Sequence, residues 1–387
     1  MDINSILSRG VEEIIDRNHL EQALKSGKKL RVKLGIDPTS PNIHIGRAVV
    51  LWKLRAFQEL GHKVVFIVGD FTGLIGDTSD KDAERPMMSE SELKKNMKTY
   101  FAQAFKILDK KKTETHYNSE WLKKLGFKEI GEMADQFGLN EFTARENVAK
   151  RMKAGKRVSL REVLYPLMQG YDSVAIKADV ELGGTDQRFN LLAGRVIQKH
   201  YGQKPQDIMT TALLEGTDGR KMSSSWGNVI NLTDEPDEMF GKVMSVSDQL
   251  IKKYFLLCTS LPEQEVESLF WKITNPKDLK VRLAKEIVSI YHGTKAADKA
   301  AANFENKFGK KTGEVQADFK LKKKPGQHSI IEILVEGRLA SSKSEARRKI
   351  VEGAVEADGI KVSDENSKVE IKKNSLIRLG KRFLRIT

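Results

Sequence analysis

The run RVKLGID at 31–37 is short, largely apolar and closed by Pro38 and the turn-like TSPN, which predicts a strand. Apolar positions then recur at helical spacing from about 45 to 60, with Gly61 as the stop. KVVFIVGDF at 63–71 is almost unbroken in apolar character, the pattern of a parallel strand buried on both faces, so these elements predict a βαβ unit. From 80 to about 160 the pattern turns polar. Segments around 90–109, 118–125, 129–137 and 141–153 predict amphipathic helices, and the region is expected to be an insertion packed beside the sheet. Strand character resumes over SVAIKADVEL at 173–182. A helix over 187–201 and a short strand near IMTTAL at 208–213 complete an α/β fold with a largely parallel sheet.

The start, MDINSILSRGVEEIIDRNHL, predicts an amphipathic helix. From 236 to about 308 the pattern is helical again: DEMFGKVMSV, SDQLIKKYFLLC, PEQEVESLFWKI and one long run over 278–306. The Gly- and Lys-rich stretch GKKTGEVQADFKLKKKPG at 309–326 is expected to be a hinge or surface connection. Beyond it, 327–387 forms a separate unit, with a helical part in HSIIEILVEGRLASSKSEARRKIVEGAV and strands at IKV, KVEI and LIRL. The expected domains are therefore 1–235 (α/β, including the helical insertion), 236–308 (helical), a linker at 309–326 and a small α/β unit at 327–387.

Composition narrows this picture. With 387 residues, 39% of them hydrophobic and 31% charged, the chain suits several folded units and not a disordered polymer. No apolar stretch approaches the roughly 18–20 residues of a membrane span, and the acidic start is unlike a secretory leader. No membrane association and a cytoplasmic location are expected. Cys258 is the only cysteine, which excludes an intramolecular disulfide and a Cys-rich zinc cluster; KKYFLLC makes it a buried helix position. The net charge of +14 favours a polyanionic partner, and half of it lies in 321–387, with 16 Lys or Arg against 9 Asp or Glu.

Two segments carry candidate nucleotide chemistry. PNIHIGR at 41–47 sets His44 and Gly46 between the first strand and its helix, where backbone donors and the helix dipole suit phosphate and Gly46 lets adenosine approach the backbone. TDGRKMSSSWGN at 217–228 joins Lys221 to three serines in a glycine-bounded loop that can fold over a triphosphate. It lacks the order of a Walker A motif. Together and in this order, HIGR and KMSSS resemble the HIGH and KMSKS motifs of class I aminoacyl-tRNA synthetases. The resemblance implies a Rossmann-like class I catalytic domain that takes ATP as a substrate with Mg2+ and needs no permanently bound cofactor or metal.

GIDPTSPNIHIG at 35–46, GLIGD at 73–77, YPLMQGYDS at 165–173 and GGTDQ at 183–187 narrow the resemblance to the tyrosyl-tRNA synthetases of bacterial type, and it runs through nearly all the chain. By that resemblance the catalytic residues are His44, Arg47, Lys221 and Ser224. ATP is held by Gly46, Gly184, Asp186, Lys221, Met222, Ser223 and Ser225, with Asp186 on the ribose. L-Tyrosine is held by Asp37, Asp77, Tyr165, Gln169, Asp172 and Gln187, with Asp77, Tyr165 and Gln169 on its ammonium. Asp172 accepts from the substrate phenol, and a buried acceptor aimed at a para-hydroxyl rejects phenylalanine, so no editing domain is required.

Three positions depart from the family pattern. Arg47 stands where a second histidine is common, Ser224 replaces the second lysine of KMSKS, and Lys33 falls where many members carry a tyrosine. The last departure puts more of the specificity on Asp172. Tryptophanyl-tRNA synthetase is the nearest rival reading, and an RNA-binding protein with an inactive synthetase body is a second. The C-terminal unit resembles the S4-like RNA-binding module, and Lys343, Arg347, Arg348 and Lys349 are its expected tRNA(Tyr) contacts. The resemblance also implies a homodimer formed through the catalytic domain and its insertion, and a helical domain on the anticodon side.

Overall fold

The computed structural model describes residues 2–77, 87–308, 317–380 and 382–387, and the chain divides into two compact units, 1–301 and 302–387. In the first, helices α1 (Ile3–Ser8) and α2 (Arg17–Lys25) flank strand β1 (Val11–Ile15). Gly10, at φ 65°, turns the chain between them, so the expected amphipathic helix at the N-terminus is in fact helix, edge strand and helix. Next come β2 (Arg31–Ile36), α3 (Ile45–Glu59) and β3 (Lys63–Val68), the expected βαβ unit.

A short α4 (Thr72–Ile75) precedes α5 (Glu90–Met97) and α6 (Tyr100–Ala104). The first part of the expected insertion, 80–86, lies outside the described residues. The insertion is not wholly helical. It contributes β4 (Thr113–Tyr117), which pairs in parallel with β3 at the edge of the sheet. Its sequence, TETHY, carries no apolar run because the strand is only partly buried, which is why periodicity missed it. After it come α7 (Ser119–Leu122), α8 (Phe127–Ala134), α9 (Leu139–Thr143) and α10 (Glu146–Lys153).

Residues 160–176 depart furthest from expectation, forming α11 (Leu160–Ile176). Ser159 and Glu162 build a capping box at its start, and Lys177, left-handed at φ 51°, ends it. The strand expected over 173–182 is therefore the last turn of a helix followed by β5 (Val180–Gly184). The β-branched and apolar residues of 173–176 suit a buried helix face as well as a strand. Helix α12 (Arg188–His200) and β6 (Asp207–Thr211) complete the sheet, ordered β1-β6-β5-β2-β3-β4, with β1 alone antiparallel. Strand order reverses between β2 and β5, and the carboxyl ends of strands at such a switch point open a crevice.

Helices α13 (Pro236–Met244), α14 (Ile251–Cys258), α15 (Glu263–Lys272) and α16 (Pro276–His292) pack within the same unit, with Cys258 buried on α14. Gly293 at φ 85° interrupts the expected run over 278–306, and α17 (Thr294–Phe308) follows. Among the described residues no helix is long and apolar enough to cross a membrane.

Of the expected connection, 309–316 lie outside the described residues. Phe319–Leu321 is a strand, β7, paired in parallel with the last strand, and Gly326–Ser329 is β8. The unit adds α18 (Ile330–Glu336), α19 (Lys343–Val351), β9 (Val355–Ala357), β10 (Ile360–Val362), β11 (Lys368–Ile371), β12 (Leu376–Leu379) and β13 (Arg382–Ile386). Its own core gathers Ile330, Ile333 and Leu334 with Ala346, Ile350, Ile377 and Leu384.

Candidate active site

A cleft opens at the reversal point of the sheet, over the carboxyl ends of β2 and β5. Its lining includes His44, Gly46, Arg47, Lys221, Met222, Ser223, Ser224, Ser225, Gly184 and Asp186 together with Asp37, Asp77, Tyr165, Gln169, Asp172 and Gln187. Every residue expected to act on the nucleotide or the amino acid thus faces one cavity.

The nucleotide end is assembled by backbone pairing between distant segments. Ile45 N–H donates to Ile230 O at 2.8 Å and Leu232 N–H to Ile43 O at 2.9 Å, so the chain after KMSSS is tied to the HIGR segment. Met222 N–H donates to Leu214 O at 2.8 Å, and the side chain of Asn228 accepts from Ser223 N–H at 2.8 Å, closing the serine loop on itself. Ser40 and Ser224 hydroxyls meet at 3.3 Å. A Cβ on Gly46 would come within 3.3 Å of Met222 Sδ, so the glycine lets the two motifs approach.

His44 is the N-cap of α3, where its Nδ1 accepts from Arg47 N–H at 3.3 Å. Burial, and then the charges of Arg47 and Lys221, push its imidazole down to about 3. It is therefore neutral, and with Nδ1 accepting, Nε2 carries the proton and is free to donate. Arg47 is anchored by Tyr100 Oη at 3.0 Å and Thr39 Oγ1 at 2.9 Å, and no carboxylate pairs with it among the described residues. Lys221 Nζ sits 2.7 Å from Asp186 Oδ2, so the cation of the serine loop and the expected ribose acceptor engage each other here.

At the amino-acid end, Asp37 accepts from Thr72 Oγ1 at 2.7 Å and from Tyr165 Oη at 2.9 Å, and burial pushes its carboxyl up to about 6. Gly69 leaves room for that carboxylate, which a Cβ would overlap. Asp172, buried on α11, accepts from Trp121 Nε1 at 2.7 Å and Asn118 Nδ2 at 3.3 Å. Burial pushes its carboxyl up to about 7, opposed chiefly by the ammonium of Lys33. Asn118 and Trp121 carry no motif in the sequence. Asn118 directly follows β4, the edge strand whose polar composition hid it, and Trp121 lies on α7; only their proximity to Asp172 marks them. Lys33 does not line the cleft: it is fully buried against Glu181 beneath α11.

On α19, Lys343 follows the Ser342 cap, and Arg347, Arg348 and Lys349 are partly exposed beside Glu365 and Glu352. Arg348 and Lys349 share Glu352, so the basic face is partly neutralised from within.

Residues 25–309 match the family described as tRNA synthetases class I (W and Y), and residues 313–384 match the tyrosine–tRNA ligase SYY-like C-terminal domain. The chain is 47% identical over 388 residues to the tyrosine–tRNA ligase of Thermotoga maritima, covering 99% of this chain and 96% of that protein. It is 45% identical over 386 residues to tyrosine–tRNA ligase 2 of Clostridium acetobutylicum, with 97% and 96% covered. Among solved structures, a C-terminally truncated mitochondrial tyrosyl-tRNA synthetase of Coccidioides posadasii shares the fold at TM-score 0.64 and 24% identity, over 77% of this chain and 91% of that one. The L-tyrosine complex of the Archaeoglobus fulgidus tyrosyl-tRNA synthetase does so at TM-score 0.61 and 22% identity, over 77% and 98%. With both parts of its length matched, and with its phosphate-facing and carboxylate-lined ends meeting in one cleft, the chain belongs to the bacterial-type tyrosyl-tRNA synthetases, a family of the class I aminoacyl-tRNA synthetases.

Proposed function

We propose that this chain activates L-tyrosine with ATP and transfers it to tRNA(Tyr). The observation that carries the reading is the single cleft in which Asp172 and Asp77 lie at one end and His44, Arg47 and Lys221 at the other. Tyrosine enters with its phenol toward Asp172 and its ammonium toward Asp77, Tyr165 and Gln169. Its carboxylate, already ionised, attacks the α-phosphorus of ATP. The new bond joins carboxylate oxygen to phosphorus, the α–β bridging bond breaks, and pyrophosphate leaves with the electron pair.

No side-chain nucleophile is needed. Alignment and stabilisation of the phosphate oxygens supply the rate. Neutral His44 donates from Nε2, Lys221 and Arg47 contribute charge, and the serines of 223–225 contribute hydroxyls. Asp186 exchanges Lys221 for the ribose hydroxyls when ATP binds, which releases the lysine toward the phosphates. A ribose hydroxyl of the terminal tRNA adenosine then attacks the tyrosyl carbonyl, and AMP leaves.

Mg2+ enters as the counter-ion of ATP. The donor set at the phosphate end is cationic and hydroxylic, which fits an anion, and the described trio close enough to grip an ion, Asp16, His19 and Asp207, is not part of the cleft lining. We also propose a homodimer and a cytoplasmic location. Large apolar side chains exposed on the insertion and α11, among them Phe127 at 96% and Leu160 at 79%, support the first.

Pyrophosphate exchange into ATP, run separately with tyrosine, tryptophan and phenylalanine, tests the reading. Exchange with tyrosine alone is expected. Exchange with tryptophan alone would overturn the substrate, and none with any amino acid would leave an RNA-binding protein.

A further inference from the structure

Behind the amino-acid end of the cleft lies a polar cluster that substrate contact does not explain. Lys33 on β2 and Glu181 on β5 are register partners in the parallel sheet, both buried, with Nζ 2.8 Å from Oε1. Their strand neighbours Val32, Leu34, Val180 and Leu182 are buried and apolar. An ion pair in such a place is a poor stabiliser, because desolvation cancels much of the attraction.

Its other partners point to a different role. Lys33 Nζ donates to Gln169 O at 2.9 Å and Ser173 Oγ at 2.8 Å. Glu181 Oε1 accepts from Gln169 Nε2 at 3.0 Å, and Oε2 accepts from Ser173 Oγ at 3.1 Å and from Gln206 Nε2. Both ions therefore grip Gln169 on α11, one by its backbone carbonyl and the other by its side-chain amide. An ionised carboxylate only accepts, so the amide must turn its NH2 toward Glu181. Its oxygen is then left for the cleft that Gln169 lines.

We propose that the Lys33–Glu181 pair is a positioning device that locks the amide of Gln169 with Oε1 presented as an acceptor to the substrate's ammonium. This rests on the reading above, in which Gln169 binds that ammonium. Gln169 touches the substrate, and the pair acts through it. Lys33 holds the Glu181 carboxylate in place at 2.8 Å, and Glu181 in turn holds the NH2 of the Gln169 amide, so the two buried charges fix which face of the amide meets the cleft.

Glu181→Gln keeps the shape of the side chain but removes the constraint, and Lys33→Met removes its support. In the full-length enzyme, pyrophosphate exchange is measured with tyrosine. Two inhibitors accompany it: tyramine, which keeps the ammonium, and 3-(4-hydroxyphenyl)propionate, which lacks it. In both variants KM for tyrosine rises and Ki for tyramine rises at least about tenfold more than Ki for the deaminated analogue, which in Lys33→Met also feels the loss of the cation near Asp172, while KM for ATP is unchanged. Equal losses for the two analogues, or none for either, overturn the proposal. Wild-type protein without tyrosine-dependent exchange overturns the functional reading and the proposal with it; an active wild type with insensitive variants overturns the proposal alone.

Should the single variants fail to fold, the Lys33→Met/Glu181→Met double variant removes both charges and is read in the same way. A crystal structure of the wild-type protein with tyrosine needs no variant. It is expected to keep Gln169 on Glu181 with the ammonium against Oε1, and a Gln169 turned away from Glu181 in that complex refutes the proposal.

Discussion

Asp172 shows how one side chain ties selectivity to pH. Its carboxyl is raised to about 7 by burial, although Trp121 and Asn118 donate to it. A carboxyl raised on folding adds stability that is fully present below its unfolded value of about 4 and is lost as pH rises through about 7. Activity runs the opposite way, since the ionised form is the better acceptor for a phenol. We expect kcat/KM for tyrosine in pyrophosphate exchange to fall on acidification between about pH 8 and about pH 6, reporting the free enzyme. In Asp172→Asn the part of that limb near pH 7 disappears, leaving the lower one that Asp37 supplies near pH 6, tyrosine selection over phenylalanine collapses, and the protein melts no lower than wild type at about pH 8. A variant that unfolds there, or that still selects tyrosine, would contradict this role. His44 offers a contrast: held near 3, it stays neutral across that range and adds no limb of its own.

At the scale of elements, the βαβ unit from β2 to β3 is legible in the sequence because its strands are buried on both faces and its helix ends at Gly61. The motif residues are legible for another reason: glycines, histidine, lysine and serines cluster at strand–helix junctions where phosphate chemistry needs them. Polar structure inside regular elements stays hidden. β4 has no apolar run, and Lys33 reads as a substitution near the phenol when its partner Glu181 lies about 150 residues away and only the register joins them.

The end of helix α11 mimics a strand in its apolar pattern, yet its start is strongly specified by Ser159 and Glu162. Ser159→Ala should cost about 1 kcal/mol in urea unfolding. The serine loop supplies a second test. Lys221→Ala should lower kcat for adenylate formation by about 10²–10³ and leave tyrosine binding near wild type, with stopped-flow formation of tyrosyl-adenylate as the measurement. Loss of tyrosine affinity instead would move Lys221 out of the phosphate role.

The whole molecule must hold its cleft and still bind a large polyanion. Association through the exposed apolar residues predicts that Phe127→Asp combined with Leu160→Asp yields a monomer in sedimentation, while wild type sediments as a dimer. The second unit folds around its own core, so its charges can be changed without touching the cleft residues. Arg348 and Lys349 already share Glu352, whereas Lys343 has no ion-pair partner among the described residues and Arg347 reaches Glu365 only at 3.9 Å. Of these four, Lys343 and Arg347 are thus the cations most available to phosphate. Replacing both by alanine should leave pyrophosphate exchange unchanged, because that step needs no RNA. Aminoacylation should show a higher KM for tRNA, and the salt dependence of tRNA binding should flatten by about one unit of log–log slope for each phosphate that is no longer neutralised. An unchanged slope with unchanged KM would mean that this face of α19 is only a solvated surface and that the RNA is gripped elsewhere.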